Sequence, residues 1–288
     1  MPALTFEPGA VRRISLAVLA ALLGSYLIVL AGLYFGQRSL LYQPTTTEVA
    51  PADAGLPQVK AHRLATPDGA RLVLWSVPPS TRKETILYFH GNGGSLAHRA
   101  GRFQFLLRQG FGLTVLSYRG YGGSTGSPTE AHNIADARSA YDWLLAQGIK
   151  PKEIIVFGES LGSGVAVQLL THRSASALML DSPFSSITDV AAGTFWWLPV
   201  RLLLTDQYNS MAHIAQVKAP LFVLQGDLDT IVPPRLGRQL FAAAREPKKL
   251  LVLPHGEHTP ALDAAIWVEV EAFLDRHAAS RGGAQRAD

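Results

Sequence analysis

Six mostly apolar runs of strand length recur through the chain, and no other feature narrows its folding options as far: Ile86 to Phe89, Leu113 to Ser117, Ile154 to Phe157, Ala177 to Leu180, Leu221 to Leu224 and Leu250 to Leu253. Strands without polar alternation are buried on both faces, and the helix-length stretches between these runs supply the cover. That pattern demands a mainly parallel α/β sheet. Ahead of the runs, Ala61 to Thr66 and Ala70 to Ser76 flank Pro67-Asp68-Gly69, a hairpin signal. An antiparallel pair therefore opens a sheet of about eight strands with helices on both faces. The 288 residues suffice for one domain of this kind.

The N-terminus follows a different rule. Ile14 to Phe35 holds 22 residues without a charge, about 33 Å as a helix, which matches the hydrocarbon thickness of a bilayer. Arg12 and Arg13 precede the run and only Arg38 follows closely, a bias that keeps the N-terminus cytoplasmic and carries the bulk of the chain across, into the periplasm in a Gram-negative cell. Tyr34 and Tyr42 stand where interfacial aromatics anchor a span. Two other readings compete with an uncleaved anchor. A signal peptide cut after Val29-Leu-Ala31 would give a secreted product, although the run is longer than the usual signal core of about 7 to 15 residues; a buried helix of a soluble fold is the other. The expected division is an anchor over 1–36, a Pro- and Thr-rich linker over 37–57, the α/β domain over 58–280 and a polar tail over 281–288.

Composition removes several functions. The chain has no cysteine, so a thiol nucleophile, a Cys-ligated zinc and a disulfide framework are excluded. Its formal charge is +4, yet no run of five like charges occurs, so no nucleic-acid partner is indicated. The sequence does not set an oligomeric state.

The pattern G-x-S-x-G occurs twice, at Gly158-Glu-Ser160-Leu-Gly162 and Gly122-Gly-Ser124-Thr-Gly126. Only the first lies between a strand and a helix, the sharp turn on which a nucleophilic serine is presented. Ser124 sits among loop residues. A serine hydroxyl needs a base, and the base needs an acid to hold its tautomer. Two loops at the same sheet edge supply candidates: Asp227 and Asp229 after the run at 221–224, and His255 and His258 after the run at 250–253. Asp181, ending the run at 177–180, is a third position for the acid. The two histidines lack a third metal ligand nearby, so neither metal nor cofactor is expected.

Five segments now stand in order: His90-Gly-Asn-Gly-Gly94, Ser117-Tyr-Arg-Gly-Tyr-Gly122, Gly158-Glu-Ser-Leu-Gly162, Gly226-Asp-Leu-Asp229-Thr-Ile-Val-Pro233 and Gly256-Glu-His258. Together they resemble the α/β-hydrolase superfamily, in particular its serine hydrolases with an N-terminal membrane segment, a group akin to bud-emergence-type proteins and protein depalmitoylases. The resemblance implies the α/β-hydrolase fold, Ser160 as nucleophile, Asp229 as acid, His258 as base, and hydrolysis of a small ester, thioester or other acyl substrate through an acyl-serine intermediate. A peptidase of prolyl-oligopeptidase type and a non-catalytic binding protein are the alternatives. An oxyanion hole requires two backbone donors. Leu161, after the nucleophile, supplies one; Asn92, after the run at 86–89, supplies the other, with Gly91 in reserve. Residues 185–219 match no core strand and read as a lid-like insert, in which Trp196 and Trp197 are candidates for an apolar substrate pocket.

Overall fold

The computed structural model describes residues 8–278. Eight strands form one sheet: β1 (Lys60–Ala65), β2 (Arg71–Val77), β3 (Thr85–Phe89), β4 (Gly112–Leu116), β5 (Ile154–Glu159), β6 (Ala177–Asp181), β7 (Leu221–Gly226) and β8 (Lys248–Leu253). Their spatial order is β8-β7-β6-β5-β3-β4-β2-β1. β1 pairs antiparallel with β2 and β2 antiparallel with β4; every other neighbour is parallel.

Period-two alternation splits each central strand between two cores. Leu87, Phe89, Val156, Leu180 and Val223 point to one face; Ile86, Tyr88, Phe157, Met179 and Phe222 point to the other. Helices α3 (Glu130–Ala146), α4 (Leu161–Leu169) and α7 (Pro234–Ala243) cover the first face, while α2 (Ala100–Arg108) and α8 (Ala264–Ala278) cover the second. The expected strand positions hold to within two residues, because buried β-branched and aromatic runs leave little freedom in register.

The parallel strands end together. Register pairs Phe89 with Gly158, Glu159 with Asp181, and Leu253 with Gly226. All the chemistry-bearing loops therefore open at one edge. Above that edge lies a cap made of α5 (Ile187–Thr194), α6 (Val200–Leu203) and two short 3-10 turns, with no strand among them.

Helix α1 (Pro8–Leu41) lies outside this frame, its apolar side chains mostly exposed. Among the described residues it is the one helix, over Arg12–Leu41, long and apolar enough to cross a membrane. It continues five residues beyond the boundary expected from the sequence. The segment that follows is docked, not loose: Gln43 and Pro44 pair in parallel with Gly93 and Gly94, and Tyr42, Leu56 and Val59 are buried. Proline and threonine content signalled a break in helix, and the chain used that break to lie against the domain. The tail expected over 281–288 lies outside the described residues.

Candidate active site

Ser160 occupies the single step between β5 and α4. Its backbone is at φ 48, ψ −115, a conformation that costs a non-glycine residue roughly 1–3 kcal/mol. Packing on every side enforces it. The Ser160 N–H donates to the Asp181 carbonyl at 2.9 Å, and a side chain at Gly158 or Gly162 would collide with backbone, Gly162 with the Phe89 carbonyl of β3. Those two glycines let α4 start directly against the sheet.

Asp229 follows β7 and is buried. Its Oδ1 accepts from the N–H groups of Ile231 (3.0 Å) and Val232 (2.8 Å). Its Oδ2 lies 2.8 Å from His258 Nδ1, and His258 Nε2 lies 2.9 Å from Ser160 Oγ. Burial opposes ionisation of Asp229, but the His258 hydrogen bond and the two backbone donors outweigh it and hold the carboxyl below its ordinary value. An ionised Asp229 only accepts, so the His258 proton sits on Nδ1 and Nε2 receives the serine hydroxyl.

The rejected candidates have other surroundings. Asp227 and His255 are exposed. Asp181 pairs with Arg102. Ser124 Oγ donates to the Ser117 carbonyl at 2.9 Å and accepts from the Val73 N–H at 2.8 Å, bridging β2 to the loop that follows β4.

The oxyanion candidates border the same space as Ser160. Leu161 is the first residue of α4, and among the described residues neither its N–H nor that of Asn92 has an acceptor. The Gly91 N–H is different: it donates to Glu159 Oε1 at 3.2 Å, which removes the reserve candidate. Asn92 is clamped from three sides. Its carbonyl accepts from the Gln43 N–H (3.0 Å) and Tyr121 Oη (2.6 Å), and its amide donates to the Leu41 carbonyl at 2.9 Å.

A charged cluster beneath Ser160 escaped the sequence reading. Glu159 accepts from Arg99 at 2.9 Å and from Tyr88. Burial would raise its pKa, but Arg99 and Arg102 prevail and bring it to about 2. Arg102 also donates to the carbonyls of Thr259 (3.1 Å) and Pro260 (2.8 Å), and Ser182 Oγ accepts from the Thr259 N–H at 2.9 Å. The loop carrying His258 is thereby fixed from behind. A charged residue at the end of an otherwise apolar buried run was the available signal.

A cavity of about 290 Å³ opens beside Ser160, Leu161 and Asn92, walled by the cap and by α1. Trp196 and Trp197 do not border it, which corrects the expectation for the insert. They are 82% and 48% exposed. The Leu198 N–H closes on the Phe195 carbonyl at 2.9 Å, a turn that aims its two ends, Phe195 and Leu198, at the cavity and leaves the tryptophans at its outer corners.

Comparisons with known proteins bear on the family and the fold. Residues 84–212 match the family described as alpha/beta hydrolase fold. The chain is 40% identical to Rv2307c of Mycobacterium tuberculosis over 87% of its own length and 90% of that protein. It is 33% identical to bem46 of Schizosaccharomyces pombe, over 77% of this chain and 80% of that one. Against the alpha/beta hydrolase domain-containing protein WAV2 of Arabidopsis thaliana the identity is 32%, over 75% and 78%. Among solved structures, the esterase Pf2001 of Pyrococcus furiosus superposes with a TM-score of 0.67 at 22% identity, covering 82% of this chain and 99% of that one. The chain belongs to the α/β-hydrolase family. Within it, the chain is related to the bem46 and WAV2 proteins, the bud-emergence type.

Proposed function

We propose that this protein is a serine hydrolase of carboxylic esters or thioesters. The hydrogen-bonded line Asp229–His258–Ser160, with contacts of 2.8 and 2.9 Å on a strained turn, carries the reading. Ser160 Oγ attacks the acyl carbon while its proton passes to His258 Nε2. The oxygen that gains charge meets the N–H groups of Leu161 and Asn92, each worth roughly 3 kcal/mol of barrier. Collapse breaks the bond to the leaving alcohol or thiol, which takes the proton from His258. A water molecule then gives a proton to His258 and attacks the acyl-serine carbonyl; collapse breaks the bond from the acyl carbon to Ser160 Oγ, which takes the proton back from His258, and the acid leaves. Structural likeness to the esterase Pf2001 supports the fold that this chemistry uses.

A fluorophosphonate probe is expected to label Ser160 in the full chain, and Ser160→Ala to abolish both labelling and turnover of p-nitrophenyl esters. A folded, unlabelled wild type would sink the reading. The same proposal assigns α1 as an uncleaved anchor with its N-terminus in the cytoplasm, supported by the arginine bias and by the way its last turn is built into the domain.

A further inference from the structure

An anchor that merely tethers would present lipid-facing side chains all round, and α1 does not. Within its largely exposed surface, Leu30, Leu33, Gln37 and Leu41 are half-buried, spaced as one helical face. All four border the cavity that holds Ser160. They cover about 16 Å of helix at 1.5 Å per residue. Opposite them stand apolar cap residues such as Ile187, Val190 and Phe195. The cavity, about 290 Å³, is at the small end of organic-ligand sites, typically about 300–1,000 Å³.

Polar ties hold this wall in place. Gln37 Nε2 donates to the Leu203 carbonyl at 3.3 Å, and Gln37 Oε1 accepts from the Thr205 N–H at 2.8 Å. Higher up, Tyr26 Oη donates to the Trp197 carbonyl at 3.2 Å. Tyr26 is nine residues before Phe35, the end of the uncharged run, about 13 Å along the helix axis. The cap turn therefore reaches the depth of the apolar span. There it exposes Trp196 and Trp197, and the adjoining α6 exposes Leu202 at 85%, side chains suited to the boundary and interior of a bilayer and costly in water.

Resting on the hydrolase reading, we infer that the cavity receives the long acyl chain of a membrane lipid ester directly from the bilayer, with α1 as one wall and the cap turn immersed beside it. The carbonyl then lies at Ser160, Leu161 and Asn92 while the chain stays among apolar side chains. No transfer of the chain through water is needed, which would cost about 0.8 kcal/mol per methylene.

The test uses the full chain in phosphatidylcholine vesicles with p-nitrophenyl palmitate and p-nitrophenyl acetate. Leu33→Trp, which fills the cavity from the helix side, is expected to lower the palmitate-to-acetate ratio of kcat/KM by about tenfold or more. Leu33→Ala, which enlarges it, should raise that ratio, so the pair separates loss of fit from loss of fold. The double variant Trp196→Ser, Leu202→Ser should lower palmitate turnover in vesicles relative to turnover of the same ester in detergent micelles. Acetate turnover with both ratios unchanged overturns this inference and leaves the hydrolase reading standing. Failure of the wild type on both esters, with no fluorophosphonate labelling, brings down both.

Discussion

His90 illustrates how a buried residue sets acid sensitivity. Fully enclosed, it donates from Nδ1 to the Gly91 carbonyl at 2.7 Å and packs at a tilt against Tyr118, 4.2 Å between ring centroids. Burial first, then the Arg99 charge, depress its pKa from 6.5 to about 3. The folded protein keeps His90 neutral while the unfolded chain takes up a proton below pH 6.5. Its contribution is therefore complete above that value and declines as pH falls toward 3. Thermal unfolding of His90→Gln should fall less steeply between pH 6.5 and 4 than that of the wild type, even if the variant starts lower at neutral pH. At this scale much of the site was legible. Ser160, Asp229 and His258 each sit in a short motif whose residues admit few alternatives, and the structure brings those three side chains together. Trp196 and Trp197 were misread because composition says that a segment is apolar, whereas a four-residue turn decides which of its side chains face inward.

Between elements, the junction of α1 with the cap is held by Asp206, almost wholly buried. It accepts from Arg38 Nε at 3.0 Å and from Tyr42 Oη at 3.0 Å, and Tyr42 continues to Tyr208 at 2.9 Å. Removing the carboxylate leaves a buried phenol and a guanidinium without their partner. Asp206→Ala should lower unfolding free energy by about 1–3 kcal/mol, read by thermal melts of the detergent-solubilised chain, and protease cleavage near residues 42–60 should become faster. The strands could be read in advance from their continuous apolar runs, and the flanking helices from the stretches between them. The joining of α1 to the domain could not, because Asp206 and Gln37 stand 168 residues from Arg38 and Thr205, and Asn92 stands 51 from Leu41. Contacts between distant segments leave no local pattern.

The whole molecule places every chemistry-bearing loop at the end of the sheet that α1 approaches. Lys152, in the turn leading into β5, is exposed at the opposite end. Because the chain has no cysteine, Lys152→Cys provides a single thiol on a silent background. With the assigned orientation, a membrane-impermeant maleimide should modify it in intact cells, or in spheroplasts if an outer membrane shields it; modification only after lysis would reverse the orientation.

The two-residue pairing of Gln43 and Pro44 with Gly93 and Gly94 joins the end of a bilayer-length helix to the loop bearing Asn92. A rigid rod seated in lipid leans when the surrounding sheet of fat grows thinner or thicker. On the function and anchoring proposed above, so short a coupling would deliver that lean to the Asn92 amide, and the physical state of the membrane would become a setting on the rate.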